Sequence, residues 1–385
     1  MYSLGKKLSL NELSEILEIN NHTDNYFFER LVFDSRVAKK GDLFIPLKGS
    51  IHDGEKFVTD VVEQGASALT IQNICGPTLK VENIYESLLK ICKYKISLFK
   101  PKIIFITGSY GKTTIKDMLK TALGSRCHAS KENENNEFGI PFTILSMPSD
   151  SQYLVVECGA RKTGDFDLIS SILFCDLFIL TAITKNHLST FGTIENIEKT
   201  KMKLRECLLQ KSNFIDGREV NKKNILETNK EIIRQALTLL SLEIDINEIT
   251  FDSSAGRGNI ICKHNGEIID QTYNAHPDTV LATALEEDPK KTILILGDMA
   301  ELGDDEHDIH LKTLARLSNY EIFFTGLIYK EIKDSLDNKN HVYFNNEDDF
   351  PIKYLTKQLE ARKKIYFKGS RSSKMERYLK ILLND

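Results

Sequence analysis

From Ile103 to Ile106 the chain is apolar without interruption, and Thr107-Gly108-Ser109-Tyr110-Gly111-Lys112-Thr113-Thr114 then breaks the run. Ile115, Met118, Leu119 and Ala122 follow at helical spacing, with Gly124 as a stop. The pattern predicts a strand, a glycine turn and a helix. Further apolar runs at Tyr153 to Val156 and Leu177 to Leu180 alternate with helical segments, which predicts a mostly parallel sheet covered by helices. Before Pro101 the chain mixes short strands and helices, with turns at Asp34-Ser35-Arg36, Gly41-Asp42 and Asp53-Gly54. Arg205 to Ser254 is polar, with one amphipathic helix around Glu231 to Leu240. A second alternating series has strands at Thr292 to Leu296, Ile322 to Thr325, Val342 to Phe344 and Ile365 to Lys368, and reads as a separate Rossmann-like domain. The expected architecture is α/β in three domains, 1–100, 101–265 and 266–385.

Composition narrows the function classes. The 385 residues are 41% hydrophobic and 28% charged, ordinary for a globular protein with ample core. A net charge of -4 with a pI near 6.2 gives no electrostatic reason to expect nucleic acid. Seven cysteines are scattered without C-x-x-C pairing, so reduced, buried thiols are expected rather than disulfides or zinc. No apolar window approaches a membrane span, and a cytoplasmic monomer is expected.

The glycine turn carries the strongest chemical signal. Gly108 and Gly111 let backbone N–H groups approach phosphate oxygens, the helix N-terminus favours negative charge, Lys112 supplies a cation and Thr113 offers a hydroxyl to Mg²⁺. The spacing is shorter than the common phosphate loop, which would need glycine where Ile106 stands, so a strand-turn-helix corner with an incidental lysine is the competing reading. Glu157 closes the run from Tyr153 at a sheet position suited to Mg²⁺, although a strand-end acid facing water fits equally well. His187 follows the run ending at Leu180; a lone histidine is more often structural than a ligand. Lys201 falls on the helical stripe Ile194, Ile197, Lys201, Leu204, Leu208. Burying its ammonium is costly unless it is paired, neutralised or chemically modified, and snorkelling to the surface is the plain alternative.

Taken in order, these residues resemble the Mur ligases of bacterial cell-wall synthesis. The short-spaced loop from Thr107 to Thr114 resembles that family's ATP loop, and Asn135-Asn136-Glu137-Phe138-Gly139-Ile140-Pro141 its Asn-rich segment. His187 to Gly192 with Lys199-Thr200-Lys201 is similar to the stretch carrying a metal-binding histidine and a carbamylated lysine. Near the N-terminus Asp34-Ser35-Arg36, Gly41-Asp42-Leu43-Phe44 and Asp53-Gly54 look like the part that holds a UDP-sugar. Toward the C-terminus Tyr273 to Asp278, Leu296 to Gly303, His310 and Lys368-Gly369-Ser370-Arg371 match the branch that adds a dipeptide.

The resemblance implies an ATP-dependent ligase that joins D-alanyl-D-alanine to UDP-N-acetylmuramoyl-tripeptide through an acyl phosphate. It implies two Mg²⁺ ions held by Thr113, Glu157, His187 and a carbamylated Lys201, with Lys112, Glu157, His187 and Lys201 catalytic. Gly108, Ser109, Tyr110, Gly111, Lys112, Thr113, Thr114, Arg257 and Asp298 would contact ATP, Ser35 and Arg36 the UDP-sugar, and Asn135, Asn274 and His276 the substrates or domain closure. Three departures stand out: Ala182 in place of the usual asparagine, His276 in place of another, and an abbreviated region after Lys201 that reduces the later central strands and the adenine pocket. A sister ligase adding one amino acid is the nearest alternative, but the chain has no Asp-Asn-Pro-Arg run; a shortened, non-catalytic paralogue that binds UDP-muramoyl peptides is the alternative from another class.

Overall fold

Residues Lys102–Thr107 form a strand that turns Ile103 and Phe105 to one face and Ile104 and Ile106 to the other, and all four are fully buried. A strand apolar on both faces needs cover on both, as in the parallel sheets of α/β proteins. The computed structural model describes residues 1–20, 26–49, 52–131, 134–184, 188–220, 222, 224–249, 251, 256–300 and 302–385.

Among the described residues the strands fall into three sheets. The first joins β1 (Tyr2–Ser9), β2 (Phe27–Val32), β3 (Asp42–Phe44), β4 (Ser67–Thr70) and β5 (Thr78–Lys80) in that order, antiparallel between β1 and β2 and parallel elsewhere. The central sheet contains β6 (Lys102–Thr107), β7 (Cys127–Ala129), β8 (Tyr153–Glu157), β9 (Leu177–Leu180) and β10 (Phe214–Asp216), ordered β10-β9-β6-β8-β7 and parallel throughout. The third contains β11 (Asn259–Lys263), β12 (Gly266–Gln271), β13 (Thr292–Gly297), β14 (Glu321–Thr325), β15 (His341–Tyr343) and β16 (Lys364–Lys368). Its order is β11-β12-β16-β13-β14-β15, parallel apart from the β11–β12 hairpin. That hairpin pairs Lys263 with Gly266, so the expected division after residue 265 falls inside its turn, and β11 belongs with the third sheet.

One face of the central sheet packs on the helices Lys112–Leu123 and Ile225–Leu239. The other face shares a continuous core with the first sheet, running from Leu4, Leu31 and Leu43 through the helix Ile84–Phe99 to Phe105, Val156 and Leu180. Each large apolar side chain buried there contributes on the order of 2 kcal/mol. The core crosses the expected boundary at residue 100, where Lys100 and Pro101 connect that helix to β6.

The helix expected around Glu231 starts six residues earlier, at Ile225, because Asn224 caps it by accepting from the Glu227 amide. The stripe through Lys201 changes form part-way: an α-helix over Ile194–Met202 tightens into a 3₁₀ turn over Lys203–Cys207. All seven cysteines are free, with Cys92, Cys127, Cys158, Cys175 and Cys207 buried and Cys75 and Cys262 exposed. Among the described residues no helix is long and apolar enough to cross a membrane.

Candidate active site

At the carboxyl end of β6 the chain turns through Gly108 and Gly111, both at positive φ (+152° and +82°), and enters the helix Lys112–Leu123. Only glycine fits at 108, where a Cβ would lie 2.0 Å from Thr181 Oγ1 and 2.9 Å from Ala182 N. The segment after β9 clamps this loop. Ser109 N donates to Ala182 O (2.7 Å), Thr184 N donates to Ser109 Oγ (2.9 Å), and Thr181 Oγ1 donates to Thr107 O (3.3 Å) and to Tyr110 O. Ala182 therefore takes part through its backbone, which the substitution for asparagine leaves intact. The Lys112 ammonium folds back to donate to Gly108 O (2.8 Å) and Ser109 O (3.4 Å), so the cation sits over the loop where a phosphate chain would lie. Thr114 is half-buried in the first helical turn.

Glu157 points inward rather than into water. It is 1% exposed; its Oε2 accepts from Thr113 Oγ1 (2.8 Å) and its Oε1 from Asn135 Nδ2 (2.9 Å). A carboxylate and a hydroxyl brought together at the mouth of a phosphate loop are hard oxygen donors of the kind Mg²⁺ takes. Lys201 is 3% exposed, which rules out snorkelling, and among the described residues its ammonium has no hydrogen bond or ion pair. Burial, and then the nearby Lys112 ammonium, pull its pKa down to about 7, while Asp165 and Cys158 act the other way. His187, expected beside these groups, lies outside the described residues.

The third sheet brings its own polar groups to the carboxyl ends of its strands. The Arg257 guanidinium stacks on the Tyr273 ring at 3.7 Å, with Arg371 on the same ring at 5.8 Å, and Arg257 Nε is buried without a hydrogen-bond partner among the described residues. The Asp298 carboxylate accepts from the Ile328 and Tyr329 amides (3.1 Å each), so it caps the helix Leu327–Ile332. His276 caps the helix Pro277–Ala284, accepting from the Asp278 amide, and Asn274 Oδ1 accepts from the Ala275 amide. Partial burial and then the Asp278 carboxylate raise the Tyr110 pKa. Ser35 and Arg36 stand apart, in a 3₁₀ turn after β2; Arg36 pairs with Asp34 at 2.7 Å.

Lys368 ends β16, 5% exposed, with Gln271 Oε1 at 2.6 Å as its acceptor, and burial alone lowers its pKa to about 7. Between that value and the ordinary 10.5 the unfolded chain holds a proton that the folded chain lacks, so this lysine makes stability rise with pH. Below pH 7 the burial cost of the charge is fully present. Lys368→Met should accordingly be more stable than the parent at pH 6, by on the order of 1–4 kcal/mol, with the gain shrinking toward pH 9. Urea unfolding at the two pH values measures this, and an equal difference at both would refute it.

Two contributors make contacts that sequence periodicity does not report. Thr181 begins the segment after the run ending at Leu180 that the sequence places at the ligand-gathering end of the sheet, but its clamp on the loop shows only when β9 lies beside β6; Ser130, 3% exposed after β7, accepts from the Glu157 amide across a gap of 27 residues. Sequence periodicity reports faces, not which neighbouring strand supplies an acceptor.

Comparison with known proteins fits this geometry. A family model described as Mur ligase middle domain matches residues 106–271. The UDP-N-acetylmuramoyl-tripeptide--D-alanyl-D-alanine ligase of Rickettsia prowazekii (strain Madrid E) is 28% identical over 436 residues, covering 94% of this chain and 96% of the relative. The protein of the same name from Bacillus subtilis (strain 168) is 28% identical over 420 residues, covering 91% and 92%. In fold the chain is similar to MurF from Acinetobacter baumannii (TM-score 0.81, 22% identity, 99% of both chains). It is also similar to the MurF ligase from Thermotoga maritima in complex with ADP (TM-score 0.77, 23% identity, 92% of this chain and 97% of that one).

Proposed function

Because this chain belongs to the Mur ligase family, we propose that it joins D-alanyl-D-alanine to UDP-N-acetylmuramoyl-tripeptide at the expense of ATP, forming the UDP-muramoyl-pentapeptide precursor of peptidoglycan. The observation that carries this reading is the buried junction of Glu157 with Thr113 in the first turn of the phosphate-loop helix. Near full-length similarity to relatives of that name gives the substrate pair. Under this reading the protein acts as a cytoplasmic monomer.

The residues then divide the work. Lys112 and the amides from Gly108 to Thr114 hold the β- and γ-phosphates and offset their charge. The tripeptide's terminal carboxylate takes the γ-phosphoryl group, ADP leaves, and the dipeptide amine displaces phosphate from the acyl phosphate to form the amide. Mg²⁺, when bound, neutralises phosphate charge and lets carboxylate and phosphate approach one another. Thr113 and Glu157 would hold one ion; Glu157, His187 and a carbamate on Lys201 would hold a second. Carbamylation joins a neutral amine to CO₂ with loss of a proton, and the depressed pKa of Lys201 supplies that neutral amine. Arg257, on the third sheet, is a candidate for the nucleotide because its buried Nε still lacks an acceptor, whereas Asp298 would act by fixing the end of β13. Closure of the third unit over the loop would keep water from the acyl phosphate.

The test is phosphate release by the purified protein. It should require ATP, UDP-N-acetylmuramoyl-tripeptide and D-alanyl-D-alanine together. Release without the tripeptide, or equal release when a single amino acid replaces the dipeptide, would overturn the assignment.

A further inference from the structure

Ser130 follows β7, and its amide donates to Val155 O at 3.0 Å, the last regular rung between β7 and β8. One rung on, the ladder would bring the Glu157 amide to the Ser130 carbonyl. It does not go there. The Glu157 amide donates to Ser130 Oγ at 2.9 Å, and the Ser130 carbonyl accepts from the Lys116 ammonium at 3.0 Å. Thr143 Oγ1, from the helix Gly139–Ser146, also donates to Ser130 Oγ at 3.0 Å. Lys116 is 3% exposed, lies one turn beyond Lys112 in the phosphate-loop helix and pairs with Asp117 at 2.9 Å. One buried serine thus connects the phosphate-loop helix, a second helix and the strand end that bears Glu157.

We infer that Ser130 is a positioning residue for Glu157: its hydroxyl replaces a ladder carbonyl and fixes the strand end, so that the carboxylate meets metal-bound nucleotide from one place. This rests on the proposed metal role of Glu157. The substitution of hydroxyl for carbonyl matters because it moves the acceptor off the main chain, while the main-chain oxygen is held by Lys116 and cannot draw the strand end back. Removing the hydroxyl leaves the Glu157 amide buried with no acceptor, and the strand end is free to shift. A purely structural serine would alter stability alone. A positioning serine alters how much Mg²⁺ strengthens nucleotide binding.

The experiment is calorimetric titration of the full-length protein with ADP, once in excess Mg²⁺ and once in EDTA. Ser130→Ala should lose about tenfold in affinity with Mg²⁺ and none in EDTA. Ser130→Thr, which keeps the hydroxyl, should bind as the parent does. If Ser130→Ala does not fold, Thr143→Val carries the test, because it frees the Ser130 hydroxyl to rotate; a smaller loss confined to the Mg²⁺ arm is expected. Equal losses in both arms, or no loss in either, would overturn the inference. Glu157→Gln separates the two claims. If Mg²⁺ still strengthens ADP binding in that variant, the metal role of Glu157 falls and the inference with it. If the strengthening is lost there but intact in Ser130→Ala, only the inference falls.

Discussion

Lys201→Ala should lower ligase turnover roughly a thousandfold or more, the scale expected when a group that stabilises developing charge is removed. The fold should not suffer. The side chain has no hydrogen bond or ion pair among the described residues, and burial and then Lys112 disfavour its charged form, so its removal breaks no polar contact. Unfolding midpoints equal to or above the parent's, beside lost phosphate release, would locate the defect in chemistry. Short carboxylic acids added to the alanine variant should restore part of the activity by supplying the missing anion. Full activity in Lys201→Ala would remove the carbamate from the mechanism.

The second large effect is expected from Gly108→Ala. An added Cβ meets Thr181 Oγ1 at 2.0 Å and Ala182 N at 2.9 Å, and φ of +152° is itself unfavourable for alanine. Strain at such a dihedral costs about 1–3 kcal/mol and overpacking about 1–3 kcal/mol more. Relieving the clash would push Thr181 away and break its bonds to Thr107 O and Tyr110 O, which hold the loop open to phosphate. ADP affinity should fall by about a hundredfold or more, since each 1.4 kcal/mol is tenfold. Gly124→Ala is the matched control: it also sits at positive φ, but no atom lies within 4 Å of the added Cβ, so ADP affinity should be unchanged. Equal ADP affinity in Gly108→Ala and the parent would show that the loop does not bind phosphate in this shape.

What the sequence made legible follows from what periodicity can report. The β6 run, the glycine turn and the spacing of Ile115, Met118 and Leu119 are local, and they fold as read. Lys201 was legible because a cation on an apolar stripe is an anomaly whatever surrounds it, although the stripe itself tightens to a 3₁₀ turn after Met202. Glu157 could be placed at a strand end but not oriented; whether it faces water depends on Thr113, 44 residues earlier, and on Asn135. The division after residue 265 falls inside the β11–β12 hairpin: Ile260-Ile261-Cys262 is an apolar run too short to report which sheet it joins. Asp298 was legible as important, but its use as a helix cap depends on the turn at Gly326, 28 residues later, that leads into the helix Leu327–Ile332.

The core shared by the first and central sheets bears on how such proteins can be recombined. The helix Ile84–Phe99 packs on the helices Gly139–Ser146 and Asp167–Ile172, and across the same seam Tyr2 stacks on Phe142 while Phe33 meets both rings edge to face. Lys95 crosses it too, donating to Ser3 O (2.9 Å) and to Leu145 O. The N-terminal end of this chain is therefore not an exchangeable cassette. A chimera that imports residues 1–100 from a relative inherits a mismatched interior, and the natural splice point lies beyond the helix Ile225–Leu239, which still covers the central sheet, before the chain enters the third sheet at β11.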